Sequence, residues 1–131
     1  MKFISLLHKS VNYQSLMWHE SAVVKGVQFA TRRVSLAQRI ELTHKARELS
    51  LKYEFTKAGG SSDQVEASLA DLLVRRLYLD WGLVALKGLT IDGRQATAET
   101  LIEKGPEALS DEIINKIRAE LELSEEERKN F

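Results

Sequence analysis

The chain of 131 residues contains no cysteine and only three histidines, and these shortages exclude most thiol and metal chemistry. Without cysteine there are no disulfides, thiolate nucleophiles or cysteine-ligated zinc sites, which fits a reducing cytoplasm. His8, His19 and His44 are too far apart to place two imidazoles three or four residues apart on one helix face. Phosphate-loop, nucleophile-elbow and zinc-protease motifs are missing as well. We therefore expect a protein that is not an enzyme and uses no cofactor or metal.

The sequence also has a single proline, seven glycines and no long apolar run. Little room is left for a disordered linker, and a hydrophobic content of 44% is enough for a buried core at this length. The apolar run at the N-terminus is interrupted by His8 and Lys9, so it is too short for a signal peptide core or a membrane span. We expect a cytoplasmic protein with an N-terminal arm (residues 1–22) and one domain (residues 23–131).

Net charge is zero, but the charges are unevenly distributed. Residues 1–60 carry ten basic and four acidic side chains, whereas residues 61–131 carry nine basic and fifteen acidic ones. Opposite charges on two halves can steer head-to-tail association or attract a partner. The alternative is that the two halves face each other inside one domain.

The N-terminal part is expected to hold a partly helical arm and then a strand. Residues 2–18 mix apolar and polar side chains without a clean period, which is the basis for the arm. Val27, Phe29 and Thr31 alternate with their neighbours in the period of two that is typical of a half-buried strand, within residues 23–34. Gly26 is expected to mark a bulge.

A long helix is predicted to begin at Ser35. Ser35 and Gln38 form a capping box, in which each side chain satisfies a backbone N–H of the other residue. The helix should run to about residue 57 and contact neighbours on two sides, because its apolar side chains lie on two arcs. These arcs are Leu36, Ile40, Leu51 and Phe55 on one side and Leu42, Ala46, Leu49 and Tyr53 on the other.

A second, more apolar helix is predicted from Asp63 to about Leu86. It follows a Gly59-Gly60 turn and a second capping box at Ser61, and it should be central and antiparallel to the first helix. Its main stripe consists of Val65, Leu69, Leu73, Leu77, Trp81 and Val84. Gly82 costs such a helix about 1 kcal/mol relative to alanine, so a close backbone contact or a bend is expected there.

The C-terminal part is predicted to contain a hairpin and two further helices. Asp92-Gly93 favours a type I′ turn between very short strands. Thr97 should cap a short helix that Gly105-Pro106 ends, and a last long helix follows. Its stripe is Leu109, Ile113, Ile114, Ile117 and Leu121, and a third capping box is expected at Ser124. The predicted class is α+β, mainly α, with two long antiparallel helices, a C-terminal helix, an N-terminal strand and a minor β-hairpin.

Two other groups of residues could carry chemistry. His19 and Glu20 could form an acid–base pair, although a histidine beside a tryptophan is more often a packed or surface residue. Arg32-Arg33 and Arg75-Arg76 could contact phosphates, but nucleic-acid binding usually needs a basic domain or a recognisable reading element. Nucleic acid is therefore an unfavoured partner.

Several segments occur in the order found in one known family. They are Arg33-Val-Ser-Leu36 before a charged helix, Trp81-Gly82 at the end of an apolar helix, an Ile91-Asp-Gly93 turn, and a tail from Leu123 to Asn130. From about Trp18 to Asn130 the chain thus resembles the tail assembly chaperones of long-tailed phages and prophages.

The resemblance implies a function in building the phage tail inside the bacterial cytoplasm. Such a protein would bind the tape measure protein, keep its apolar helices from aggregating and recruit tail tube subunits, and it would be absent from the finished virion. Family members often have a frameshifted long form. The alternatives are a structural tail completion or connector protein and a small DNA-binding regulator.

A chaperone of this kind needs exposed apolar surface, because an amphipathic client helix binds by its apolar face. The predicted partner-binding residues are Leu16, Met17, Trp18, Phe29, Leu51 and Phe55. The first three lie in the segment without a periodic partner, and we expect them to contribute to client binding or self-association. The alternative is that the arm packs permanently on its own domain.

Overall fold

The computed structural model describes residues 10–54 and 63–129. Its elements are β1 (Leu16–Glu20), β2 (Gln28–Arg32), α1 (Leu36–Glu54), α2 (Asp63–Gly82), β3 (Leu83–Lys87), β4 (Thr90–Ile91), β5 (Arg94–Gln95), α3 (Ala98–Lys104) and α4 (Glu107–Lys129). Helices dominate, and the strands form one small antiparallel sheet and one hairpin. The predicted α+β class with mainly helical content is confirmed.

The sheet has the order β1-β2-β3, with β2 in the centre and antiparallel pairing on both sides. The predicted alternation in β2 is found in part: Phe29 and Thr31 are buried and Gln28 is exposed, but Ala30 is fully buried as well. The irregularity expected at Gly26 lies elsewhere. The register shifts between Ala30 and Thr31, whereas Gly26 has a φ of 88° in the turn before β2.

Strand β1 occupies part of the segment that was expected to be helical. Residues 16–20 pair along their whole length with β2, so the partly helical arm predicted for residues 2–18 is wrong for residues 16–18. The strand pairing supplies hydrogen-bond partners for backbone N–H and C=O groups that a short helix without caps would leave without partners. The turn that follows is fixed by Glu112 of α4, which accepts hydrogen bonds from the Ser21 hydroxyl at 2.6 Å and the Ala22 N–H at 2.7 Å. Residues 1–9 of the predicted arm lie outside the described residues.

Helix α1 begins with the predicted capping box. The Gln38 N–H donates to Ser35 Oγ at 3.2 Å, and the Ser35 N–H donates to Gln38 Oε1 at 3.3 Å. The predicted Gly59-Gly60 turn and the capping box at Ser61 lie outside the described residues.

Helix α2 ends at Gly82 and passes directly into β3, so its predicted extension to Leu86 is wrong. A Cβ at Gly82 would lie 2.5 Å from Ile117 Cδ1, which shows how closely α4 approaches this point. Arg32 Nε donates to the Trp81 carbonyl at 3.0 Å and satisfies one of the open groups at the helix end. Leu83 to Lys87 then pair with β2. The sequence did not distinguish these alternatives, since a short apolar run is compatible with a helix and with a strand.

The hairpin and α3 follow the predictions closely. Asp92 and Gly93 have φ values of 52° and 79°, as a type I′ turn requires. Thr97 caps α3 in a capping box with Thr100, and the helix ends before Gly105.

Helix α4 supplies much of the core. Its predicted stripe is confirmed, since Leu109, Ile113, Ile114 and Ile117 are buried and Leu121 packs against them. The third capping box is wrong, because α4 continues without a break to Lys129 and an N-cap residue needs a non-helical backbone.

The main core lies between one face of the sheet, the C-terminal end of α2, α3 and α4. Its remaining members are Leu79, Leu83, Leu86, Ala96 and Leu101. Between positions 36 and 52 of α1, where burial is described, only Leu42 is buried. The two helices α1 and α2 pack on each other, and the N-terminal part of α2 stands outside the core.

Candidate protein-binding surfaces

Helix α1 buries one of its two apolar arcs and exposes the other. Leu42 is buried, and Leu49 lies beside Leu77 of α2. On the opposite arc, Leu36, Ile40 and Leu51 are 72%, 63% and 44% exposed, and these three residues are named the outer stripe. We expected both arcs of α1 to contact neighbouring elements. For the outer stripe this expectation is wrong in the part of the chain that the structure describes. Phe55, which continues this arc in the sequence, falls in the gap between the described ranges.

Helix α2 also presents apolar residues to solvent. Val65, Leu69 and Leu72 follow each other at spacings of four and three residues, and all three are exposed. The sequence placed Val65 and Leu69 on the main stripe of a central helix, which is wrong for these two residues. Their row leads into a cleft of about 320 Å³ between α2, α3 and α4. This α2 cleft is lined by the apolar side chains Leu72, Leu79, Leu101, Ile102 and Ile114 and by Arg75, Arg76 and Glu107.

The α2 cleft is lined by two arginines that form ion pairs. Arg75 pairs with Asp111 of α4. Arg76 lies 3.6 Å from Asp80 and 3.7 Å from Glu103. Glu107 also lines the cleft, whereas Asp80, Glu103 and Asp111 are ion-pair partners of its two arginines. The cleft therefore presents charges of both signs.

Three predicted binding residues lie on β1, and they differ in exposure. Trp18 is 44% exposed, and Lys87 Nζ lies 4.5 Å from its ring centroid in a cation–π contact. Leu16 and Met17 are half-buried. Trp18 therefore offers the largest accessible apolar side chain of this strand.

Phe29 was also predicted to bind a partner, and its placement contradicts this. Its side chain is fully buried in the core, with 0% of its surface exposed. The alternation that predicted β2 in the sequence placed Phe29 on the inner face, so the strand pattern itself contained the signal.

His19 is a packed residue of the inner sheet face. Its Nε2 lies 2.8 Å from Thr31 Oγ1, and its ring stacks on Phe29 with 5.1 Å between the centroids. Successive residues of a strand point to opposite faces, so Glu20 cannot serve as its acid–base partner. The considered His19–Glu20 pair is not formed.

The environment of His19 disfavours its protonated form. Burial lowers the pKa of His19 below its ordinary value of 6.5, and the nearby Lys116 lowers the pKa further. Glu120 and Glu112 act in the opposite direction. The imidazole is thus held between charges of both signs from α4.

The arginines that could have contacted phosphates are engaged inside the molecule. Arg32 binds the Trp81 carbonyl, Arg33 lies 5.9 Å from the Tyr13 ring centroid, and Arg75 pairs with Asp111. Arg33 Nε has no hydrogen-bond partner among the described residues, and Arg76 is half-exposed beside Asp80 and Glu103. This geometry gives the nucleic-acid alternative no support.

Residues 10–54 and 63–129 were also searched for metal-binding clusters and membrane-spanning helices. No three histidine or carboxylate side chains gather there as metal ligands. None of the described helices is long and apolar enough to cross a membrane. The chain matches no protein-family model, and no curated protein or solved structure is significantly similar to it. The exposed apolar residues of α1, α2 and β1 are therefore the features from which a function can be argued.

Proposed function

We propose that this protein is a non-enzymatic assembly chaperone whose outer stripe binds an apolar face of a long helical client. The resemblance in sequence indicates which client: the tape measure protein of a phage tail, with tail tube subunits as the second partner. The observation that carries the proposal is the exposure of Leu36, Ile40 and Leu51 on one arc of α1.

The outer stripe has the dimensions of a helix-binding surface. Leu36 and Leu51 are fifteen positions apart, which corresponds to about 22 Å along a helix. A client helix with apolar residues every three or four positions could pack along this length in a side-by-side arrangement. In this proposal α1 and α2 act as an antiparallel pair, with α2 supporting α1 from behind.

Strand β1 adds a second contact surface in this proposal. Trp18 is the exposed aromatic residue of β1, and aromatic residues often dominate the energy of protein interfaces. Leu16 lies on the same face of the strand as Trp18 and is half-buried, whereas Met17 points to the opposite face and is not part of this surface. The contact therefore comes from an ordered strand instead of a loose arm.

A binding titration with one substitution in the stripe tests this proposal. Fluorescently labelled helical segments of a phage tape measure protein are titrated with the full-length chain and with Ile40→Asp. Replacing a central apolar contact by a carboxylate should weaken binding about tenfold or more. Val23→Asp is the matched control, because Val23 is an exposed aliphatic residue in the turn between β1 and β2.

Equal binding by the wild type and Ile40→Asp would remove the outer stripe from the client surface. Mass spectrometry of purified particles tests the chaperone assignment separately. Stoichiometric presence in mature virions would instead indicate a structural tail component.

A further inference from the structure

We propose that α1 is a flap, which leaves α2 in a local opening while the main core stays folded. Opening would uncover Leu77 and Tyr78 of α2 together with the side of α1 that packs over them. Apolar surface that is closed in the resting state would then be accessible only while α1 is open. The proposal needs no client, so its failure would leave the proposed function untouched. The weak attachment of α1 carries the inference.

Little of α1 is buried. Between positions 36 and 52, only Leu42 is enclosed, with 2% of its surface exposed, whereas Ala46 and Leu49 on the same side are half-buried. These three residues are named the inner arc. Helix α4, in contrast, buries four residues of its apolar stripe in the main core. Because apolar burial is the main favourable contribution to folding, α1 is held much more weakly than α4.

The contact between α1 and α2 leaves space at two places. A gap of about 190 Å³ lies beside Leu42, where α1 faces Tyr78 of α2 and Leu121 of α4. A wider gap of about 420 Å³ lies further along the two helices, beside Leu49 and Leu77. Side chains that line such a gap lack partner atoms on one side and lose dispersion contacts. The inner arc thus gains less from docking than a close-packed helix face would gain.

Two ion pairs of α1 stay inside the helix. Lys45 Nζ lies 3.1 Å from Glu41, and His44 Nε2 lies 3.7 Å from Glu48. These contacts join successive turns of α1 and do not fasten it to α2. Arg39 does reach another element, since its Nη2 donates to a backbone carbonyl of α4 at 3.3 Å. That contact lies near the N-terminal end of α1.

Undocking should also unfold α1. Helices in proteins gain most of their stability from the packing of one face, and Leu42 provides the only full burial between positions 36 and 52. The N-terminal end is the better anchored one, because three residues link it to β2 and Ser35 caps it. Opening should therefore proceed from the C-terminal half and expose the backbone amides of α1.

Thiol labelling tests the flap, because the chain has no cysteine of its own. Leu42→Cys places a thiol on the inner arc, and Leu109→Cys is the matched control, a leucine of α4 with 0% exposure in the main core. Ile40→Cys, at a position that is 63% exposed, gives the rate of an accessible thiol on the same helix. Each full-length variant is labelled in increasing urea below its unfolding transition. Circular dichroism verifies that each variant is folded.

The thiol of Leu42→Cys should react about 100-fold faster than that of Leu109→Cys, because a local opening is more populated than global unfolding. Its rate should change little with urea, since undocking one helix exposes little surface, whereas the rate of Leu109→Cys should rise steeply. Equal rates with the same steep dependence on urea would show that α1 opens only with the whole chain, and would overturn the proposal. A thiol of Leu42→Cys that reacts as fast as that of Ile40→Cys would show that α1 is not docked, which also overturns it.

Hydrogen exchange of the unsubstituted chain guards against damage by the substitutions. Relative to their intrinsic rates, the amides of residues 42–52 should exchange about 100-fold faster than those of residues 111–118 in α4. Protection should also decrease from the N-terminal to the C-terminal half of α1. Equal protection of the two helices would contradict the flap even if Leu42→Cys were labelled rapidly, because the rapid labelling would then result from the substitution.

Discussion

The sheet with α3, α4 and the end of α2 forms a body that differs from the helical pair of α1 and the N-terminal part of α2. In the body, Phe29, Leu109 and Ile113 are fully enclosed, and backbone ends are capped by side chains such as Thr97. In the helical pair, leucines and isoleucines of the same size stand largely in solvent. Apolar residues of similar size are thus buried in one region and exposed in the other.

The difference indicates where stability is located and, under the proposed function, where binding is expected. Burial of an aliphatic or aromatic side chain contributes about 1.5 to 3 kcal/mol to stability, which the exposed residues of the helical pair do not gain. Exposed apolar residues that lie on one helix face, such as Leu36, Ile40 and Leu51, are candidates for an interaction surface. Substitutions in the body should therefore change folding, and substitutions in the helical pair should change association.

The largest effect is expected from Phe29→Ala in the body. This change removes a fully buried ring from the centre of the sheet and leaves a cavity against α4, so it should cost about 3 to 5 kcal/mol of the free energy of unfolding. Chemical denaturation monitored by circular dichroism measures the loss. A change below about 1 kcal/mol would mean that the body does not dominate stability.

A somewhat smaller effect is expected where the two regions join. Gly82→Ala would place a methyl group 2.5 Å from Ile117 Cδ1, and such overpacking should cost about 1 to 3 kcal/mol. The double variant Gly82→Ala/Ile117→Ala should lose less stability than the sum of the two single changes, because the clash is relieved. Strict additivity in this cycle would show that Ile117 is not what requires glycine.

A smaller, pH-dependent effect is expected at His19, in the body. Because burial lowers its pKa in the folded state, the unfolded chain binds more protons as the pH falls through the ordinary value of 6.5. Its contribution to stability is therefore complete above that value, declines as the pH falls below it, and levels off below the folded pKa.

Denaturation at a series of pH values measures this decline. His19→Gln should remove part of the slope just below pH 6.5, while His44→Gln is the matched control on the exposed face of α1. An unchanged slope in His19→Gln would contradict the assignment of this pH dependence to His19.

The sequence predicts those features of the fold that depend on neighbouring residues. The capping boxes at Ser35 and Thr97, the Asp92-Gly93 turn and the stripe of α4 are all local patterns, and all are found. The false capping box at Ser124 shows the limit of such patterns, since the same residues also occur inside a continuous helix.

Features that depend on distant partners could not be predicted in this way. Strand β1 exists because β2 pairs with it, and α2 ends at Gly82 because Ile117 and Arg32 meet it there. The same holds for the candidate surfaces. Periodicity located two arcs on α1, but only the fold decides which arc faces α2 and which, with Leu51, remains exposed.

The smallest effect on folding is expected from Ile40→Gln in the helical pair, and it tests the comparison directly. Ile40 is 63% exposed, and glutamine forms helices at least as well as isoleucine. The free energy of unfolding should therefore change by less than about 0.5 kcal/mol. Thermal and chemical denaturation measure this, alongside Leu42→Gln on the buried arc of the same helix, which should be clearly destabilising. If Ile40→Gln destabilised the chain as much as Leu42→Gln does, the outer stripe would be packed in solution, and its assignment as a free binding surface would fail.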